Sequence, residues 1–335
     1  MERKIEKDNS IVVWRIFFTY VIMTFHFFNA YSIGSSLYLA TDFFFIVSGF
    51  LIAKDVEEGK YKNAFVFLKK RIKKYYPHYI LSLIIGYVVF TCLRKGPQVS
   101  VLSLISEAFF LQMVGINITK MVNVPAWYLS VLLICGYFVF YLLYNYKKVF
   151  VEFICPIFII VVGTWFYRNF GYLKHSALGE NTTIGIYWNS PLFLGGAMVC
   201  IGVLVYYIFK NGLLFHNKKI IRILEVVFLL GVPVLAIVYR FTSYDFLMVA
   251  MLIMGVMFAF FNGSCQLAGN SFIKYMSRLS YPLYLNHNMF RELIPCYIED
   301  FSIIVYICYL VLVTLYSMLT MLIIDKITHV KERKY

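Results

Sequence analysis

Charged side chains are scarce in this chain, and acidic ones are the scarcest. Of its 335 residues, 14% are charged and 61% are hydrophobic, and 17 acidic residues stand against 31 Lys and Arg. A typical soluble domain carries about 25% charged residues, so this composition excludes an ordinary soluble protein. We predict an all-α, polytopic integral membrane protein that forms a single domain over residues 1–335.

Clustered cysteines and the common catalytic fingerprints are also missing. The seven cysteines are scattered singly along the chain, and no CxxC pair or Cys/His cluster occurs. This spacing indicates neither a disulfide framework nor a zinc site, and we expect no metal. A GxSxG nucleophile elbow, a phosphate-binding P-loop and a GxGxxG fingerprint are absent as well. The enzyme classes that depend on those motifs are therefore not indicated.

Apolar runs are what the chain has instead, and about ten of them have the length of membrane helices. The segment 101–115 is shorter and is interrupted by Glu107 and Gln112, so we predict a re-entrant or interfacial segment there. The predicted spans are 11–31, 39–54, 76–93, 126–144, 150–167, 189–209, 220–239, 244–262, 281–296 and 302–324.

Basic residues lie between these runs rather than on one helix face. A net charge of +14 would suit a nucleic-acid partner, but the positive-inside rule explains the pattern without one. If the N-terminus is cytoplasmic and 101–115 does not cross, most Lys and Arg fall in inner loops. We therefore expect both termini in the cytoplasm. The longest outer loops would be 94–125 and 168–188, a candidate surface for a polar acceptor.

The first apolar run carries Arg15 at its entrance and His26 well inside. The two residues are eleven positions apart, which places them within roughly 20° of one helix face and about 16 Å apart along the axis. Ionisable groups at membrane depth are costly and indicate function. An interfacial Arg and a core His satisfied by a neighbour explain the pattern equally well at this stage.

The second span carries Asp42 near the depth predicted for His26. Because a short connection joins the two helices, we predict that Asp42 and His26 form a carboxylate–imidazole pair that orients a general base. Ser48 and Gly49 lie deeper and permit a close helix contact. A helix N-cap carboxylate with a packing Ser-Gly pair is the alternative.

A dense basic run precedes Pro77 at the start of the third span. Lys70, Arg71 and Lys74 belong to it, and Arg71 and Lys74 are three positions apart on one helical face. These cations would suit a phosphorylated ligand. Charge alone favours the other interpretation, an anchor on anionic lipid.

Two later stretches carry further candidates. Trp127 follows Pro125 at a predicted helix start, where an aromatic-belt role is the simplest interpretation. Near the end of the chain, polar and ionisable side chains lie along one penultimate helix, and two of them, four positions apart, share a face. The candidates on that helix are Ser280, Tyr281, His287 and Arg291.

Taken in order, these stretches resemble membrane acyltransferase family 3, whose members O-acylate bacterial surface polysaccharides and some small molecules. Arg15 and His26 match the spacing of the family's first-helix motif. DFFFIVSGFLIA, KRIKKYYP, AWYLSVLL and SYPLYLNH are similar to four further motifs, and the third adds Ser130 to the candidates. The sequence departs from the family pattern at two places. Lys74 stands where the family has an Arg, and the apolar residues 131–133 stand where the family often has acidic residues.

The resemblance implies an acyl-CoA donor, usually acetyl-CoA, that binds from the cytoplasm, and a polysaccharide or glycolipid acceptor at the outer face of a bacterial cytoplasmic membrane. Arg15 and Arg71, with Lys70 and Lys74, would hold the donor phosphates. His26 would be a general base or a transient acyl carrier. No appended soluble domain is evident, so we expect the membrane domain to complete the transfer or to pass the acyl group to another polysaccharide-synthesis protein.

Two other classes of function also fit buried His and Arg in a helical bundle. One is a transporter or flippase for a lipid-linked sugar, against which the lack of an evident inverted repeat counts. The other is an inactive scaffold in a polysaccharide assembly complex, against which the retained Arg15 and His26 count. We expect the acyltransferase.

Overall fold

The computed structural model describes residues 10–113, 120–173, 183–184, 188–211, 217–262 and 265–332. These residues form an α-helical bundle with one two-residue antiparallel strand pair, β1 (Thr183–Ile184) and β2 (Trp188–Asn189). The predicted all-α membrane class is confirmed. The helices are α1 (Ile11–Ala30), α2 (Ala40–Glu57), α3 (Ala64–Leu93), α4 (Val101–Ala108), α5 (Trp127–Val149), α6 (Cys155–Phe170), α7 (Ser190–Lys210), α8 (Lys218–Val238), α9 (Tyr244–Phe261), α10 (Gln266–Gly269), α11 (Ser271–Leu293) and α12 (Ile303–Glu332).

Eight helical segments of the described chain are long and apolar enough to cross a membrane. One of them, Val124–Phe170, is 47 residues long and contains two predicted spans. Its helices α5 and α6 are joined by a π-helical stretch, Phe150–Ile154, after a non-helical residue, Tyr146. The chain therefore bends between the two spans without an intervening loop.

Two predicted spans need correction. The ninth was predicted at 281–296, but α11 begins ten residues earlier, at Ser271, and ends at Leu293. This helix is long enough to cross but is not among the eight apolar segments, because polar side chains run along it. The third was predicted to start at residue 76, but α3 begins at Ala64, where the Asn63 side chain accepts a hydrogen bond from Val66 N. The basic run is therefore helical, and Pro77 lies inside the helix.

The segment 101–115 does not form a span. Its helix α4 has eight residues, about 12 Å of helix, which is too short for the roughly 30 Å hydrocarbon core. Glu107 at its end is fully buried and accepts hydrogen bonds from Val122 N and Asn123 N, at 2.7 and 2.8 Å. Tyr79 of α3 donates to Glu107 O. The segment thus folds back against α3 and the start of α5. Residues 114–119 of the predicted outer loop lie outside the described residues.

Helices α2 and α7 form the centre of the bundle, and 72% of each apolar window is buried. They pack backbone against backbone, because a Cβ at Gly49 would lie 2.0 Å from Val199 O and one at Gly202 would lie 2.0 Å from Ile46 O. Gly49 therefore has the packing role that the sequence offered as one alternative. Small residues permit such close helix contacts in membranes.

Contacts between helix ends agree with an alternating path through the membrane. On one side, Trp14 at the start of α1 donates to Glu225 near the start of α8, and Arg278 pairs with Asp325 near the end of α12. On the other side, Tyr31 donates to Ile298 O after α11. The charge distribution predicts that the first side is cytoplasmic. The second predicted outer loop, 168–188, is described only at 168–173, 183–184 and 188.

Candidate active site

A cavity of about 430 Å³ lies between α1, α2, α3, α5, α11 and α12. Its volume falls in the roughly 300–1,000 Å³ range of small-ligand pockets. Four cations, a His and several hydroxyls face it, and we call it the cationic cavity. Its polar and ionisable lining residues are Arg15, Thr19, Ser48, Arg71, Lys74, Tyr75, His78, Tyr128, Ser277, Arg278, Ser280, Tyr281, Tyr284 and Asp325.

Arg15 reaches the cavity from the first turns of α1. Its side chain is half-buried and makes no hydrogen bond or ion pair within the described part of the chain. Thr19, one turn further on the same face, donates to Arg15 O at 2.8 Å. The neighbouring Trp14 is held on another face by its hydrogen bond to Glu225. The helix is therefore anchored while the guanidinium is left available to an anion.

Arg71 is held more firmly than Arg15. Its guanidinium donates to Tyr75 Oη at 3.2 Å, lies 3.6 Å from the buried Asp55 carboxylate and stacks on Phe67 with a cation-to-centroid distance of 4.9 Å. Because Asp55 also pairs with Lys60 at 2.7 Å, it does not neutralise Arg71 alone. The fork of Arg71 is thus fixed with its charge directed toward the cavity.

The other predicted donor-binding cations divide between the cavity and the surface. Lys74 lines the cavity and is exposed, with its ammonium 5.7 Å from the Tyr75 ring. Lys70 is exposed and does not line it. One residue along a helix is about 100° of rotation, so Lys70 points away from the face that Arg71 presents. The prediction that Lys70 belongs to the site is not supported by its position.

Two polar groups at the cavity mouth were missed by the sequence analysis. Arg278 of α11 and Asp325 of α12 pair at 2.8 Å and line the cavity together with His78. Arg278 lies two residues before the candidate Ser280, so its position in the sequence could have indicated a site residue. Asp325 follows a long apolar run, and no sequence pattern indicates that it belongs to the site.

Tyrosines surround the deep end of the cavity. Tyr128 and Tyr284 contact each other with centroids 5.8 Å apart, and Tyr284 Oη donates to Pro125 O. Tyr281 Oη donates to Tyr75 O at 2.9 Å. Ser48 lines the same end. The candidates Ser48 and Tyr281 therefore line the cavity, and so do Tyr128 and Tyr284, which were not predicted as site residues.

His26 lies one helical turn beyond Ile22, the last lining residue of α1. Its ring is half-buried and contacts the ring of His287 with centroids 5.1 Å apart. His287 is fully buried, and its Nδ1 is 2.6 Å from Tyr284 O. We call these two side chains the imidazole pair. Both histidines were predicted candidates, but their contact was not.

The predicted pair of His26 and Asp42 is not formed among the described contacts. Asp42 is fully buried in the first turn of α2, and no hydrogen bond or ion pair joins it to His26. The two residues also differ in depth, because Phe43, next to Asp42, stacks on Phe18, which is eight residues, or about 12 Å of helix, from His26. In addition, Asp42 is two residues, or about 200° of rotation, from the cavity-lining Phe44, and it therefore faces another side of α2.

Arg291 continues the polar line beyond the imidazole pair. Its Nη1 lies 2.6 Å from Glu292 and 3.2 Å from Asn288 Oδ1. Asn288 donates to Val122 O at 2.9 Å. The backbone N–H groups of Val122 and Asn123 donate to the Glu107 carboxylate. Arg291 is thereby tied to the re-entrant segment rather than to the cationic cavity.

Three further candidates are held by local contacts. Ser130 is fully buried, donates to Phe110 O at 2.6 Å and accepts from Met113 N at 3.3 Å, so it fixes the re-entrant segment. Trp127 packs on Phe45 with centroids 6.1 Å apart. Ser280 lines the cavity but donates to Met276 O on its own helix. The first two lie outside the cavity lining.

The fold and the site together define a polytopic membrane protein with a cation-lined cavity that opens near one membrane side and ends one turn below a pair of histidines. The chain belongs to acyltransferase family 3, whose model, described as an acyltransferase domain, matches residues 8–322. It is therefore a multi-pass membrane acyltransferase, as the motif order predicted. No curated protein and no solved structure matches the chain.

Proposed function

We propose that this protein moves an acetyl group from cytoplasmic acetyl-CoA to a hydroxyl of a cell-surface polysaccharide or of its lipid-linked precursor, in a bacterial cytoplasmic membrane. The observation that carries the proposal is the alignment of the cationic cavity with His26. Cations gather at one end of the cavity, and the imidazole lies one turn beyond the other end.

The cavity suits the phosphates of a CoA thioester. Arg15 has no anionic partner within the described chain, and Arg71 shares Asp55 with Lys60. Lys74 adds a third positive charge at the same end. Guanidinium groups bind phosphate oxygens in paired, charge-assisted hydrogen bonds, so Arg15 and Arg71 would hold the donor and Lys74 would add charge.

The length of the donor fits the distance between the two ends of the site. A phosphopantetheine arm is about as long as an extended peptide of four to five residues, roughly 14–17 Å. Arg15 and His26 are separated by about 16 Å along α1. A donor whose phosphates contact Arg15 would thus present its thioester near His26, past the apolar and tyrosine side chains of the cavity.

His26 would then act as the general base. The acceptor oxygen attacks the thioester carbonyl, the new C–O bond forms as the C–S bond breaks, and the hydroxyl proton passes to His26 and on to the departing thiolate. A neutral imidazole suits this step because a hydroxyl is a poor nucleophile until its proton is accepted. The acceptor would approach from the opposite membrane side from the donor.

The test is acyl transfer in reconstituted vesicles. Purified protein is incubated with acetyl-CoA labelled in its acetyl group and with glycan from the producing cell, and alkali-labile label on the glycan is measured. We expect transfer by the wild type, its loss in His26→Ala, a higher acetyl-CoA requirement in Arg15→Ala, and no change in Lys70→Ala, which removes an exposed cation outside the cavity. Full transfer by His26→Ala at normal protein level would refute the assignment.

The same vesicles test the transporter alternative. A flippase would move a lipid-linked sugar across the bilayer without adding label to it. Sugar translocation that proceeds without acetyl-CoA, together with unlabelled glycan, would replace the proposed function with transport.

A further inference from the structure

His287 has its ring orientation and its tautomer fixed by the backbone. Nδ1 lies 2.6 Å from Tyr284 O, and a carbonyl oxygen can only accept a hydrogen bond. Nδ1 must therefore carry the proton, and a neutral His287 has its lone pair on Nε2. Metal-ligating and catalytic histidines are oriented in the same way: one ring nitrogen donates a hydrogen bond, and the other presents its lone pair.

The available nitrogen of His287 has no hydrogen-bond partner among the described residues. Nε2 is buried, and no hydrogen bond to it is found in the described part of the chain. A buried polar atom without a partner is unusual and requires an explanation, such as a catalytic role. The rings that contact His287 are those of Tyr284, whose carbonyl already binds Nδ1, and His26, with centroids 5.1 Å apart.

His26 has no orienting hydrogen bond within the described residues. Its ring forms no hydrogen bond or ion pair with any of them, Asp42 included. A general base needs a second group that fixes which of its nitrogens carries the proton. In a resting enzyme such hydrogen bonds are often long and tighten only when the substrate is bound.

We propose that His287, rather than Asp42, is the positioning residue for His26. Its Nε2 accepts a hydrogen bond from one nitrogen of His26, so that the other nitrogen of His26 presents its lone pair to the acceptor hydroxyl. The ordered chain is Tyr284 carbonyl, His287, His26 and substrate hydroxyl. This proposal rests on the proposed function of His26 as the general base.

The proton balance does not change with this role. His287 keeps its Nδ1 proton on the Tyr284 carbonyl throughout, and it neither takes nor gives a proton. The positive charge that develops on His26 is stabilised because the shared N–H···N hydrogen bond strengthens when the donor ring becomes cationic.

The substitutions His287→Gln and His287→Asn distinguish this positioning role from a packing role. The side-chain oxygen of Gln reaches about as far as Nε2 and can accept a hydrogen bond, whereas Asn reaches only as far as Nδ1. We expect His287→Gln to keep kcat within about tenfold of the wild type. His287→Asn and His287→Leu should lose roughly 10²-fold or more, within the range that general-base catalysis contributes. KM for acetyl-CoA should be unchanged in all three.

Two kinetic results would overturn the proposal. One is an equal loss of kcat in His287→Gln and His287→Asn, since it would show that an acceptor at the Nε2 position does not matter. The other is a raised KM with unchanged kcat, which would indicate a binding role. The amount of folded protein, measured by gel filtration in detergent, identifies variants that have not folded, and kcat is compared per folded molecule.

A measurement without any substrate keeps this test separate from the proposed function. NMR of the protein with isotope-labelled histidine reports which ring nitrogen of His26 carries the proton. We expect one tautomer in the wild type and in His287→Gln, and a mixture of the two in His287→Asn. An unchanged tautomer in His287→Asn would contradict the positioning role even if the wild type transferred acetyl groups normally. If the wild type transferred none, only the proposed function would fail.

Discussion

The cationic cavity and the imidazole pair are both polar sites within the same helical bundle, yet they are built in opposite ways. In the cavity, the charged groups are partly exposed, and Arg71 is held by two other side chains, Tyr75 and Asp55. In the imidazole pair, His287 is fully buried and is fixed by a backbone carbonyl. The cavity is thus suited to binding an anion, and the pair is suited to moving a proton.

From this difference we expect the two regions to respond differently to mutation. Several cations contribute to the binding of a phosphate, so the loss of one cation weakens binding while the remaining cations still attract the ligand. A proton-transfer site depends on one lone pair at one position. Mutations in the pair should therefore act on kcat, and mutations in the cavity should act on KM.

The largest effect is expected for His26. Replacement of His26 by Ala should lower kcat by about 10²–10⁴-fold with little change in the KM for acetyl-CoA, because the donor phosphates lie at the other end of the cavity. Steady-state kinetics in vesicles measures both constants, with Lys70→Ala as the matched control. A large rise in KM for acetyl-CoA at constant kcat would place His26 in the binding site instead.

A smaller effect is expected for Arg71. Hydrogen bonds to charged groups contribute about 1.5–3 kcal/mol, so Arg71→Ala should raise the KM for acetyl-CoA by roughly 10- to 150-fold while kcat falls little. Lys70→Ala removes the adjacent charge from a face outside the cavity and should leave KM unchanged. Equal effects of the two mutations would show that the basic run acts as a diffuse surface charge.

The stability of the fold should depend on pH through Glu107, the buried carboxyl at the end of α4. Burial raises the pKa of the Glu107 carboxyl to about 7, despite two backbone hydrogen bonds that lower it. The folded state therefore holds this proton up to a higher pH than the unfolded chain does. Stability contributed by the protonated carboxyl is fully present below about pH 4.5 and is lost as the pH rises through about 7.

Thermal unfolding in detergent between pH 4.5 and 8 measures this effect. The slope should be on the order of 1 kcal/mol per pH unit between those pKa values and should disappear in Glu107→Gln, even though the variant is less stable overall. The same slope in wild type and Glu107→Gln would assign it to another group.

The smallest effect is expected for Lys74→Arg. Arg offers a planar fork to a phosphate where Lys offers a point charge, so the KM for acetyl-CoA should fall by a few fold at most. Because Lys74 is exposed, the gain should shrink as salt is added. A change in kcat without a change in KM would mean that the cavity and the pair are not separable.

The sequence was sufficient to predict membrane spans wherever apolar runs were long. At α11 the predicted span, 281–296, missed the first ten residues of the helix, 271–280, which include the cavity-lining Arg278. The length of an apolar run determines whether a helix can cross the bilayer, but the side chains that face a cavity lower its average hydropathy. The part of a helix that lines the site is thus the hardest part to delimit from hydropathy.

The positions of side chains along a single helix were predictable, but the placement of neighbouring helices against each other was not. Arg15 and His26 share one face of a single helix, so their alignment followed from the 3.6-residue period alone. Pairing His26 with Asp42 required the relative shift and rotation of two helices. Tertiary packing sets both, here with Phe18 of α1 stacked on Phe43 of α2, and no local pattern reveals them.

The contact between Gly49 and Val199 also bears on the order in which the protein is made. Val199 leaves the ribosome about 150 residues after Gly49, roughly 8–30 s later at 5–20 residues per second. Until then, a helix destined for the centre of the bundle has no partner for its closest contact. Helix α2 must therefore remain among lipids or insertion factors during synthesis, and the site can only be completed once the second half of the chain has entered the membrane.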